Sequence, residues 1–184
     1  MTKQHLSQIP KYFLNVIACL SLILLFSSCT KYKEEAPFFD GLVLEYNLMQ
    51  KTLTYKIKSL DNNQFKINMI IKFDILSDET EEFLVDAHGK VRESSTEDYQ
   101  GNFSDIWIPA HKMEFGDTFD DGYTVLRREQ WKKWQVLVVK NPLIDEERYY
   151  EISTGFWVGS NTKTRIGTGT IVLSNTNADI PTIE

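Results

Sequence analysis

Hydrophobic residues recur at every second position over most of this chain. Leu53, Tyr55 and Ile57 alternate with Thr52, Thr54, Lys56 and Lys58, as in a strand with one face turned away from water. Asp61-Asn62-Asn63 then supplies a turn signal. The longest regular run follows: Phe65, Ile67, Met69, Ile71, Phe73 and Ile75 share one face, while Lys66, Asn68, Lys72 and Asp74 take the other, interrupted by Ile70. At about 3.3 Å per residue such a strand approaches 35 Å, whereas the usual strand has about five or six residues. A long one-sided strand suits a curved sheet or barrel better than a compact sandwich.

The same signals continue to the end of the chain. Residues 82–86 lead into the turn Asp86-Ala87-His88-Gly89-Lys90, with glycine where a positive φ is needed, and residues 91–94 return. Ser95 to Ser104 reads as polar loop, and Ile106-Trp107-Ile108-Pro109 as a short strand ended by proline. Residues 123–128 and 135–140 flank Trp131-Lys132-Lys133-Trp134, the pattern of a hairpin. Residues 149–153, 156–159 and 168–173 bring the total to about ten strands. Helical spacing is weak. Residues 125–134 hint at it, but the β-branched run Val136-Leu137-Val138-Val139 beside them favours strand. The fold class expected is all-β: a single antiparallel curved sheet, half-barrel or barrel-like, with little helix.

The first 28 residues do not fit this pattern. Lys3 and Lys11 precede an apolar stretch, residues 12–26, broken by Asn15 and Ser21. That stretch is short for a bilayer span, which takes about 20 residues; it has the form of a cleaved export signal. Leu25-Phe26-Ser27-Ser28-Cys29 resembles the lipobox of bacterial lipoproteins. The resemblance implies cleavage before Cys29 and acylation of that cysteine by chains such as palmitate. The expected organisation is a signal at 1–28, a lipidated cysteine and polar tether at 29–37, and one β-domain at 38–184. The eight tether residues after Cys29 reach at most roughly 25–30 Å. Lys33-Glu34-Glu35 resembles the short export tags of surface lipoproteins in the Bacteroidetes group. Thr30 stands where some bacteria place Asp to retain a lipoprotein in the inner membrane, so the outer membrane is the expected address, with the cell surface as its extension.

Charge and cysteine content narrow the chemistry. The formal net charge is −6, and loss of the signal, with Lys3 and Lys11, leaves about −8. A generally acidic domain does not suit nucleic acid as a partner. The two cysteines, Cys19 and Cys29, both fall outside the β-domain, so it has no disulfide, thiol nucleophile or cysteine metal site. His88 and His111 stand alone, without metal-ligand spacing, and no Gly-x-Ser-x-Gly elbow is present. Gly167-Thr168-Gly169-Thr170 lacks the lysine of a phosphate loop and reads as a twisted or edge strand. The acids at 78–82 and at 117–121 lack calcium-loop spacing and read as solvated hairpin tips. No cofactor and no metal is expected, and the chain is not expected to be an enzyme.

Aromatic residues are the one surplus, with eleven Phe, eight Tyr and four Trp. Most belong to core packing, but an apolar cleft would be lined in the same way. Tyr55, Phe65, Ile67, Met69 and Trp107 are the candidate apolar ligand face.

Several short signatures resemble a group of exported bacterial β-domains related in shape to the Lol-type lipoprotein carriers. They are Gly41 with Tyr46, Asp86-x-x-Gly89-x-Val91, Ile106-Trp107-Ile108-Pro109, Tyr150-x-x-x-Thr154-Gly155-Phe156 and Leu173-Ser174-Asn175-Thr176. The resemblance implies a long curved antiparallel sheet whose apolar concave face receives acyl chains beneath a helical lid. This chain has no clear lid helices. The expected function is non-catalytic binding of an apolar small molecule, lipid or amphiphile by a protein held to the envelope membrane through Cys29. The alternative is a surface-exposed structural or protein-interaction module with an envelope protein as partner. A hydrolase with an unrecognised site comes third. A concave face filled by the chain itself would favour the interaction module, and an open one the ligand.

Overall fold

A computed structural model describes residues 35–49, 51–74, 77–95, 103–119, 122–141, 143–165 and 167–183. The contacts divide the chain into Met1–Lys33 and Glu34–Glu184. Every sheet pairing lies in the second unit, which therefore has what a body needs to fold alone. The expected export signal, Cys29 and most of the expected tether lie outside the described residues.

Ten strands form one antiparallel sheet: β1 (Val43–Leu48), β2 (Lys51–Ser59), β3 (Gln64–Phe73), β4 (Glu79–Asp86), β5 (Val91–Ser94), β6 (Thr124–Trp131), β7 (Trp134–Asn141), β8 (Glu146–Glu151), β9 (Trp157–Thr164) and β10 (Gly167–Thr176). Their order is β5-β4-β3-β2-β1-β10-β9-β8-β7-β6. The chain starts at the centre and meanders outward to β5. It then crosses to the far edge at β6 and meanders back until β10 closes against β1. The sheet is curved and open, not closed into a barrel.

The local chemistry explains the turns. Asn62 and Asn63 adopt positive φ in the 3-10 turn Asp61–Asn63, which asparagine tolerates. The Asp86 carboxylate accepts the backbone N–H groups of His88 and Lys90 at 2.9 and 3.0 Å and pairs with Arg92 at 2.8 Å. It thereby satisfies the donors of the β4–β5 turn.

The predicted long strand is β3, with Phe65, Ile67, Met69, Ile71 and Phe73 on one face; Ile75 lies outside the described residues. Of these five only Ile67 is fully buried, and Lys66 and Asn68 on the reverse face are half-buried. Three local expectations change. The segment 106–109 is not a strand: it joins the sheet by a single bridge, Trp107 to Phe156. Glu79, Glu81 and Glu82 are not at a tip but within β4. Gly167 to Thr170 belong to the central strand β10, yet pair only with β9, because β1 reaches no further than Ile171.

Candidate functional site: the concave face

Register determines which side chains share the concave face. Residues directly opposite in an antiparallel pair point the same way. On the β1–β4 half that face carries Leu44, Tyr46, Leu53, Tyr55, Ile57, Ile67, Phe83 and Val85 at its lower end. The lower rim is where the 61–63 and 87–90 turns lie.

This lower half is filled by the protein's own chain. The crossover from β5 to β6 lays Phe103, Ile106, Trp107 and Ile108 onto it, all buried. Phe103 packs against Tyr55 and Phe83, with ring centres 6.0 and 4.8 Å away. Phe38, arriving from the N-terminal side, meets Phe65 and Trp107 edge-on at 5.6 and 6.4 Å. Burial of such side chains stabilises by roughly 1.5–3 kcal/mol each.

Hydrogen bonds pin the crossover in place. The Ile108 N–H donates to the Gly155 carbonyl at 3.0 Å, and Trp107 Nε1–H to the Thr154 carbonyl at 3.0 Å. The Trp157 N–H donates to the Ile106 carbonyl at 2.9 Å, and the Tyr150 hydroxyl to the Ser104 carbonyl. Asp105 pairs with Arg148 at 2.7 Å, and Arg148 also lies over the Tyr123 ring. Burial works against the Arg148 charge, but Asp105, Glu146 and the buried tyrosines hold it firmly protonated. Burial raises the Tyr46 hydroxyl well above its ordinary pKa; it donates to the Trp157 carbonyl at 2.7 Å. These groups all have structural partners.

The upper half of the face is different. Leu48, Met69, Ile71, Phe73 and Ile171 are each half-buried. They form an apolar strip on β10, β1 and β3, at the end away from the crossover, with Lys51 of β2 standing between Leu48 and Phe73. Glu79 stands opposite Ile71 and Glu81 opposite Met69, so both acids border the strip on its β4 side. Lys51 stands opposite Phe73, its ammonium 4.2 Å from the ring centre. The neighbouring loop tips are also apolar: Met49 is 86 % exposed and Leu143 91 %.

The five candidate residues are therefore divided. Tyr55, Ile67 and Trp107 lie in the packed lower half, 3 %, 0 % and 6 % exposed. Phe65 is half-buried beneath Phe38. Met69 alone belongs to the apolar strip. Leu48, Ile171, Glu79 and Glu81 were not picked out by alternation, because their proximity depends on cross-strand register. His88 and His111 are both exposed, and the described residues contain no cluster of His, Cys, Asp and Glu able to hold a metal. A hollow of about 310 Å³ on the opposite face, near Lys66, Glu82 and Glu93, has its lysine paired with Glu82 at 2.8 Å.

No protein-family model and no curated protein matches this chain.

Proposed function

We propose that this protein is a lipid-anchored, non-catalytic interaction module of the bacterial envelope, held by acylated Cys29 and engaging a protein partner through the upper concave strip. One observation carries this reading: the lower concave face, where a lipid would be enclosed, is filled by Phe38, Phe103 and Trp107. Small-molecule sites bury some 70–90 % of their ligand. A strip of half-exposed side chains offers one wall rather than an enclosure, which suits a protein surface better. The strip's apolar character favours a second reading, in which it binds an amphiphile whose other side stays in water or membrane.

Photo-crosslinking in cells tests the two together. A photoreactive residue replacing Phe73 is expected to yield one discrete protein adduct, while the same residue at Leu60, on the lower rim, yields none. A lipid adduct at Phe73, together with micromolar binding of a fatty-acyl probe by residues 34–184, would instead establish the second reading. Absence of any adduct at Phe73 would overturn both.

A further inference from the structure

The strip has the dimensions and charge to select a particular kind of partner. Ile171 and Phe73 lie in one cross-strand row three strand spacings apart, about 14 Å at the usual 4.7–4.9 Å per spacing. Met69 and Phe73 are four residues apart on one strand, again about 14 Å. An α-helix with its side chains is about 10–12 Å wide, so the strip accommodates one helix and not two.

Charge determines what the helix must carry. Glu79 is exposed and Glu81 half-buried. Among the described residues neither forms an ion pair, whereas Glu82, the next acid along β4, pairs with Lys66 at 2.8 Å. Two acids without an ion pair, Glu79 and Glu81, therefore border the half-exposed strip on its β4 side. Lys51, within the strip between Leu48 and Phe73, has its ammonium held over the Phe73 ring.

We infer that the upper strip seats one basic amphipathic helix of a partner protein. Apolar residues of that helix at i, i+3 or i+4, and i+7 rest on Ile71, Phe73 and Ile171, with lysines or arginines turned toward Glu79 and Glu81. A second copy of this chain is disfavoured, because it would bring its own Glu79 and Glu81 to the same place. The inference rests on the interaction reading above and specifies its partner.

Residues 34–184 and two synthetic peptides provide the test. One is a 14-residue Leu/Lys peptide with leucines at helical a and d spacing; the other has glutamate for every lysine. Fluorescence anisotropy should show the Leu/Lys peptide binding at least tenfold more tightly. Glu79→Lys with Glu81→Lys should weaken it about tenfold or more and bring up binding of the Leu/Glu peptide. Asp61→Lys, on the lower rim, should leave both unchanged. Both acids are at a half-open surface, and circular dichroism on the same samples verifies folding.

Equal affinity for the two peptides, or an effect of Asp61→Lys as large as that of the double reversal, would overturn the inference. Binding abolished by about 0.5 M salt but unaffected by Ile171→Ser would also overturn it, since attraction would then be charge alone. Failure of the peptides together with a discrete protein adduct at Phe73 in cells would refute the basic helix and leave the interaction module standing.

Discussion

Replacing Gly155 with alanine tests whether the crossover truly seals the lower concave face. Gly155 has φ +75°, and a Cβ built on it would lie 1.9 Å from the Ile108 carbonyl oxygen and 2.8 Å from Trp107 Nε1. A side chain in the left-handed region costs about 1–2 kcal/mol. The clash adds to that, because the crossover has to retreat. Retreat breaks the Ile108-to-Gly155 and Trp107-to-Thr154 hydrogen bonds, each contributing about 0.5–1.5 kcal/mol. The expected loss is then about 2–5 kcal/mol. Urea unfolding of residues 34–184 measures it. With m of about 1–3 kcal/mol per molar for a small protein, the midpoint should fall by at least about 0.7 M. Gly116→Ala is the control: its φ is +86°, but a Cβ there would meet no atom within 4 Å, so only the conformational cost applies. Gly155→Asn complements it, since asparagine tolerates the left-handed region but keeps the clash. If Gly155→Ala cost no more than Gly116→Ala, or Gly155→Asn were as stable as the parent, the close approach of crossover to sheet would be wrong.

Ile67→Ala should cost about 2–5 kcal/mol as a fully buried position, while Ile71→Ala, on the half-exposed strip, should cost about 1; equal midpoints in urea would deny the division of the concave face. Acid should destabilise the fold. For Asp86, burial alone would raise the pKa, but the His88 and Lys90 N–H groups and Arg92 hold it below the ordinary value; for Glu147, hydrogen bonding to Arg127 lowers it. Their stabilisation is present above the unfolded carboxylate pKa of about 4 and is lost as pH falls through the lower folded values. Asp86→Asn should flatten the acid limb of a midpoint-versus-pH curve, and an unchanged limb would remove Asp86 from the account. Mass spectrometry of the native protein should find an acylated Cys29 at the N-terminus, and Cys29→Ala should abolish firm membrane attachment; an unmodified cysteine in the membrane fraction would refute the anchor.

Alternation and turn signals placed most of the strands, though not at 106–109. β3, β6 and β7 appear where the two-residue period and the β-branched run place them, and Gly89 adopts the positive φ that its turn called for. These features are local, set by a strand's need to turn one face from water and by the few residues that turn the chain tightly. What covers that face was not legible, because it depends on residues far apart in sequence. Phe103 and Trp107 lie in a segment with no periodicity, yet they fill the space over Tyr55 and Ile67. The segment's backbone partners sit on β9 and the turn before it, far along the chain. The site divided for the same reason. Phe65, Ile67, Met69 and Ile71 read identically along β3, and alternation cannot separate them. Only the register of β4 and β10, and the place where the crossover ends, leaves Ile67 sealed and Ile71 beside Glu79 at the edge of water.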